Sequence, residues 1–393
     1  MIRWLARLIG FGLAATSALA ADPVTIGVGY LAIAGTRATL SLAEQPAEND
    51  GLAGARLAIE DNNTTGKFTG QRFTLEERRI REGEDAVPAA TALAEKNGFI
   101  IADLPADALL KVADALRDRG TLLFNAGAID ERLRETDCRA NVIHTAPTRA
   151  MLADALGQYL VWKKWSRWLL VVGSHDEDKL FADAIRRTAA RFGAKIVQER
   201  TFEDKGGARR TDSGVAQIQR QIPVFTQQAP AYDVLVAADE SEVFGAYLPY
   251  RTWDPRPVAG SAGLVPRSWD ASQDQWGAIQ MQNRFIKLNS RRMTARDMQA
   301  WTAVRMIGEA TSRTKSGEVG KVSDFIKGPD FSVAAFKGTR LTLRDWNLQL
   351  RQPILLVDGR MVVSVSPQEG FLHQVSELDT LGYDRPESKC KLK

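Results

Sequence analysis

The chain has 393 residues, 44% hydrophobic and 25% charged. This is a globular composition long enough for two domains of about 100–200 residues each, which excludes disorder, collagen and a coiled coil. Its 52 Lys and Arg stand against 48 Asp and Glu, a formal charge of +4, too small a surplus on this length to argue for a nucleic-acid partner.

At the N-terminus, Arg3 and Arg7 precede the apolar run Leu8 to Ala15, and Ala18-Leu19-Ala20 places small residues at both cleavage-site positions. Residues 1–20 therefore read as a signal peptide cut after Ala20, and the chain as exported. The apolar run is short of the roughly 20 residues a spanning helix needs. In an oxidising compartment the only two cysteines, Cys138 and Cys390, are expected to pair, with two free thiols as the alternative. With His only at 144, 175 and 373, they match no zinc-ligand spacing.

From Val24 onward strand-like and helix-like segments alternate. Val24 to Val28 reads as a strand, and Leu52, Ala55, Ala58 and Ile59 fall at helical spacing before the breaker run Asn62-Asn63-Thr64-Thr65-Gly66. Arg72 to Ile80 alternates weakly, Asp85 with Pro88 opens a helix through Ala94, and Phe99 to Ala102 is a buried strand. A helix over Ala106 to Leu116 and a strand at Leu122 to Phe124 complete a βαβαβ half. After His144-Thr145-Ala146-Pro147 the cycle restarts with a helix to Trp162, a strand Trp168 to Gly173, a helix to Phe192 and a strand Ala194 to Phe202. Val234 to Ala238 and Val258 to Gly260 continue it. The polar stretch Glu203 to Ser213 reads as a surface loop whose Asp212 or Ser213 caps the next helix. Past Trp269 the order is less regular, with a helix from Thr294 to Ala310 and strand-like pieces near Phe336, Leu348, Pro353 to Val357 and Met361 to Val365. Strands alternating with helices of this length imply parallel sheets covered on both faces, in two successive sets.

The catalytic motifs are sparse. Gly27-Val28-Gly29-Tyr30-Leu31-Ala32 has the form of a dinucleotide fingerprint, but no acidic residue ends a second strand about 20 residues on, so its glycines are read as close backbone packing and no cofactor is expected. No G-x-S-x-G elbow, H-E-x-x-H pair or P-loop occurs. Ser174 and His175 are adjacent, and neighbours in sequence seldom hold nucleophile–base geometry, so a cleft-lining turn is expected rather than an enzyme. Trp162, Trp165 and Trp168 are read as core.

In open α/β sheets ligands bind beyond the carboxyl ends of the strands. The loops there hold Tyr30 with Leu31, Asp103 and Asp107, Asn125 with Ala126, Ser174-His175-Asp176, and Asp239 with Glu240. These ten residues, Leu31 aside, are the candidate ligand-binding set. Their carboxylates favour a cationic solute, a hard metal ion or a metal complex; the alternative is that they cap helix N-termini.

Val24 to Asn63, with Ile26-Gly27-Val28 and Gly51-x-x-x-Ala55-x-x-Ala58-Ile59-Glu60-Asp61-Asn62, resembles the opening of the periplasmic branched-chain amino-acid-binding proteins of ABC importers, and His144 to Thr148 resembles their first interlobe crossing. The tail Pro367 to His373, Leu378 to Gly382 and Arg385-Pro386-Glu387-Ser388-x-Cys390, with Trp346-Asn347-x-Gln349-Leu350-Arg351-Gln352-Pro353, resembles the subgroup associated with PQQ-dependent alcohol dehydrogenase systems. The resemblance implies a two-lobe α/β binder with three crossings, near Thr145, Val265 and Arg340. One lobe would comprise residues 24–145 plus 266–340, the other 146–265 plus 341–366, followed by a tail, 367–393. It also implies a small-molecule or metal-complex solute handed to an inner-membrane permease. Amino-acid members hold the ligand carboxylate with hydroxyls after the strand matching Phe99 to Ala102, and here Asp103 to Asp107 contains none, so a standard amino acid is not expected. The other functional expectation is an exported accessory or sensory protein of an alcohol dehydrogenase system, docking on a protein instead of a transported solute.

Overall fold

The computed structural model describes residues 23–34, 45–205 and 212–392, with backbone alone for 212–217. The expected signal peptide, residues 1–20, lies outside the described residues.

The first lobe is built from β1 (Val24–Ala34), α1 (Leu52–Thr69), β2 (Gln71–Arg81), α2 (Ala86–Ala94), β3 (Phe99–Asp103), α3 (Ala106–Leu116), β4 (Leu122–Asn125) and β5 (Val142–His144). Its sheet is parallel throughout, in the order β2-β1-β3-β4-β5. The period of two, with both faces covered, explains why β3 and β4 read as unbroken apolar runs. In β3, Phe99 and Ile101 point into the core formed with α1, whereas Ile100 and Ala102 point into the core formed with α2 and α3.

The second lobe repeats the arrangement with α4 (Arg149–Trp162), β6 (Arg167–Gly173), α5 (Asp176–Phe192), β7 (Lys195–Phe202), α6 (Asp212–Thr226), β8 (Val234–Ala238), α7 (Leu248–Arg251) and β9 (Val258–Gly260), paired in parallel as β7-β6-β8-β9. Trp168, Leu170 and Val172 of β6 face one core, and Leu169 and Val171 the other. After β10 (Val265–Arg267) the chain returns to the first lobe as α8 (Ala278–Asn289), α9 (Ala295–Thr314), α10 (Val319–Lys327), β11 (Val333–Ala334) and β12 (Arg340–Leu341). It then forms β13 (Ile354–Val357) and β14 (Val362–Ser366), which pair antiparallel with β10 in the order β10-β13-β14.

Several boundaries differ from the sequence reading. Helix α1 runs through the breaker run to Thr69, because tertiary bonds take up the polar side chains: Asn62 donates to Val304 O at 2.9 Å, and Asn63 exchanges hydrogen bonds with the backbone of Phe73 at 2.7 and 3.0 Å. Helix α9 continues past Ala310 to Thr314, α8 has no counterpart in the sequence reading, and the strand-like pieces near Phe336 and Leu348 are the short β11 and isolated bridges at Gln349 and Leu350, with Phe336 and Leu348 themselves at positive φ. The third passage between lobes falls at about Arg351 to Pro353, beyond Arg340, because Leu341, Leu343, Leu348 and Leu350 pack in the first lobe's core while Ile354 and Leu356 pack in the second's. Trp168 is core and Trp165 packs against it, but Trp162 is about half exposed, stacked near Tyr159 and Lys163. The glycines of the dinucleotide-like motif lie inside β1, where a Cβ on Gly27 would sit 2.7 Å from Asn97 Oδ1, the close packing anticipated.

Cys138 and Cys390 form the disulfide, with Cα atoms 5.7 Å apart. The tail reaches it by crossing the second lobe. Gly382 N donates to Asp154 Oδ2 at 2.8 Å and Gln158 donates to Thr380 Oγ1 at 2.9 Å, before Lys389 N meets Glu135 of the first lobe at 2.6 Å. Buried Asp379 accepts from Arg344 at 2.8 Å and from Arg351 at 2.9 Å.

Candidate functional site

The carboxyl ends of both parallel sheets open onto one cleft of about 580 Å³ between the lobes. This volume lies in the range of small-molecule sites.

The first lobe's wall is organised by the N-terminus of α9. Thr294 caps the helix, and Thr294 and Asp297 form a reciprocal capping box. Asp297 is buried and over-determined: it accepts from Gly51 N at 2.9 Å and from both terminal nitrogens of Arg291 at 2.6 and 3.0 Å. Arg291 also reaches the side chain and backbone oxygen of Asn49 at 2.9 and 3.1 Å, so the approach to α1 and the start of α9 are held as one unit. A Cβ on Gly54 would fall 1.8 Å from Asp297 O, which measures how closely the two helices approach. From this unit Arg291, Arg292 and Arg296 line the cleft, with Arg267 at the second passage.

Beneath Arg296 lies Asp103. Its carboxylate pairs with Arg296 and accepts from the Tyr30 hydroxyl at 3.1 Å. Burial raises the Asp103 pKa, opposed by the Arg296 charge, and burial with the Asp103 charge raises that of Tyr30. Arg296 is in turn held more firmly protonated, chiefly by Asp103. The end of β3 thus presents a guanidinium to the cleft.

The second lobe contributes Asp239 and Glu240 after β8. Asp239 is buried and accepts from the backbone N–H groups of Val243, Phe244 and Gly245 at 2.6–2.9 Å; burial raises its pKa against these bonds. Glu240 is gripped at 2.8–3.1 Å by Arg149 at the start of α4. Ile129, Pro147, Leu152 and Phe181 supply apolar lining.

Of the ten anticipated binding residues, Asp239 and Glu240 line the cleft. Tyr30 is interior to β1, which runs on to Ala34, and Tyr30 and Asp103 sit under Arg296. Asn125 and Ala126 are fully buried; the Asn125 amide closes its own turn, donating to Ala128 O at 2.8 Å and accepting from Ala128 N at 2.9 Å. Asp107 points outward to Arg132, and Asp176 is exposed beside Lys179 at 3.0 Å. Ser174 accepts from Asp204 N at 3.0 Å, and His175 caps α5 while its Nε2 lies 2.9 Å from Asp204, away from the cleft lining. The open carboxylate cradle expected for a cation or metal complex is therefore not what these residues make, because each acid already faces an arginine, a lysine or backbone N–H groups. Among the described residues no group of three His, Cys, Asp or Glu is placed to hold a metal ion. Arg291 and Arg292 precede a helix and Arg296 lies in its first turn, whereas the sequence rule for open sheets points to residues that follow strands. The one available signal was three arginines within six residues, Arg291, Arg292 and Arg296, around the Thr294 cap.

Residues 38–223 match the model of the periplasmic binding protein family. No curated protein matches by sequence. The fold is that of the two-lobe periplasmic binding proteins. A leucine-, isoleucine-, valine-, threonine- and alanine-binding protein from Brucella ovis, in its closed conformation, is similar over 95% of this chain and 100% of its own, at 16% identity and a TM-score of 0.68. A branched-chain amino-acid ABC transporter periplasmic ligand-binding protein from Burkholderia xenovorans is similar over 86% and 95%, at 17% identity and 0.69. A solute-binding protein of an ABC transporter from R. palustris, solved with benzoate, is similar over 94% and 100%, at 14% identity and 0.63.

Proposed function

We propose that this chain is the periplasmic solute-binding component of an ABC importer, exported by a signal peptide cut after Ala20, which captures a small solute between its lobes and delivers it to an inner-membrane permease. The observation that carries the reading is the shared cleft. Two parallel sheets point their carboxyl ends at the same cleft, joined by passages about which the lobes can rotate, so a ligand touching both walls favours the closed state by its differential affinity. Ser174 and His175 do not support catalysis, since each is turned to Asp204. We take the lobes as residues 24–145 with 266–350 and 146–265 with 354–366.

The solute is proposed to be other than a standard amino acid. The segment after β3 offers no hydroxyl, and its Asp103 carboxylate lies under Arg296. The similar R. palustris protein carries benzoate, which is not an amino acid. A link to PQQ-dependent alcohol oxidation is supported by the sequence resemblance of the tail from Trp346 to Cys390. Thermal unfolding of residues 21–393 against amino acids, amines, carboxylates, alcohol-oxidation products and PQQ tests the reading. A ligand at 100 times its Kd adds about 2.7 kcal/mol, so saturable stabilisation is expected from some member, and a flat response to all of them refutes solute capture.

A further inference from the structure

We propose that the solute is an organic anion whose carboxylate is held by Arg292 and Arg296 of the first lobe and whose apolar body lies against Ile129, Leu152 and Phe181. This rests on the solute-binding reading and names the class of ligand.

The inference starts from which charges in the cleft are already satisfied. Arg291 is committed to Asp297 and Asn49. Asp239 is saturated by three backbone N–H groups, and Glu240 by Arg149. Arg292 is exposed on the cleft wall, and among the described residues its side chain makes no hydrogen bond or ion pair. Arg296 spends only Nη1 on Asp103, and its side chain remains 44% exposed. A guanidinium has five N–H donors in a planar fork, so two forks with unspent donors face the same space from one short segment.

Closure of the lobes would strip water from both. A cation taken out of water without a partner is strongly unfavourable, whereas a carboxylate placed against the forks converts that cost into charge-assisted, bidentate bonds. The same space is also lined by Ile129, Pro147, Leu152 and Phe181, an apolar surface beside Asp239 and Glu240. An ammonium group would find the acids of the cleft already engaged, Asp239 by backbone N–H groups, Glu240 by Arg149, Asp50 by the Thr294 hydroxyl and Glu242 by a partner of its own, which disfavours both amines and amino acids. The chemistry that fits is a carboxylate head on a hydrocarbon body.

The test uses head-group series on constant bodies: benzoate, benzamide and benzylamine, and hexanoate, hexanamide and hexylamine, with succinate and leucine alongside. Binding is read by calorimetry and thermal shift on the full mature chain, its Arg292→Gln variant, and Arg79→Gln as a surface control. Among the described residues Arg292 has no partner to strand, so its variant is expected to keep the fold. Arg296→Gln, which leaves buried Asp103 unpaired, is run as a second variant with circular dichroism. Carboxylates are expected to bind and their amides and amines not; Arg292→Gln is expected to weaken carboxylate binding about 10- to 100-fold, the loss of one or two hydrogen bonds to a charged group, with Arg79→Gln unchanged. Tighter binding of an amide or amine, or carboxylate binding that survives Arg292→Gln, overturns the anion assignment. Leucine binding alone, indifferent to Arg292→Gln, overturns it while leaving solute capture intact. Silence from every compound overturns both.

Discussion

Replacing Lys337 with Met tests how burial sets the pH dependence of stability. Lys337 is 4% exposed, and its ammonium donates to Gln352 Oε1 at 2.5 Å. Gln352 in turn donates to Thr145 O at 2.8 Å, so the amine is tied to the first and third passages between the lobes. Burial alone lowers the Lys337 pKa from 10.5 to about 7. The native state therefore releases this proton near pH 7, while the unfolded chain holds it until about 10.5. Between those values the unfolded state binds more protons, and stability rises with pH by up to about 1.4 kcal/mol per unit. From about pH 7 to about pH 9 the gain is about 2 kcal/mol, allowing for partial titration near pH 7. Met fills a similar volume without a charge. Urea unfolding of the wild type and Lys337→Met across this range isolates the effect as the difference between the two curves. The variant is expected to be at least as stable as the wild type near neutrality and to lose ground steadily as pH rises. A difference that stays constant with pH refutes the argument, because it would mean that Lys337 titrates alike in both states.

Three further outcomes follow from the packing. Asp379→Ala leaves Arg344 and Arg351 without their shared, buried carboxylate and is expected to cost about 3–5 kcal/mol in denaturant unfolding; a cost below about 1 kcal/mol would show that backbone oxygens suffice for both guanidiniums. Removing the disulfide with Cys138→Ser and Cys390→Ser frees a link across 252 positions, worth about 5 kcal/mol by loop-closure entropy, read as a lowered guanidinium midpoint; an unchanged midpoint would mean that the docked tail alone supplies the constraint. Gly54→Ala drives a methyl onto Asp297 O and is expected to destabilise by about 1–3 kcal/mol and to weaken ligand binding through the displaced start of α9; wild-type stability would show that the two helices part freely.

The strands and helices flanking the sheets were legible in the sequence because their signals are local. The apolar runs of β3, β6 and β8 announce strands buried on both faces, Asp85 announces the start of α2, and the restart after Pro147 announces a second lobe. The pairing of Cys138 with Cys390 was legible because no other cysteine competes for either. The character of the cleft was not. Asp103 reads as an available carboxylate until Arg296, 193 positions away, is folded over it, and Glu240 does so until Arg149 grips it. A charge's sign is written in its own residue, but whether it is spent depends on a partner brought close only by packing. For the same reason helix α1 could run through Asn62 and Asn63, whose side chains find Val304 and Phe73 only in the folded lobe. The sequence by itself determined the alternation of strands and helices whose sheets open onto one cleft. Tertiary structure alone decided which charges remain open on its walls, because Arg296 and Arg149 reach Asp103 and Glu240 across 193 and 91 positions, whereas the strand and helix signals are local.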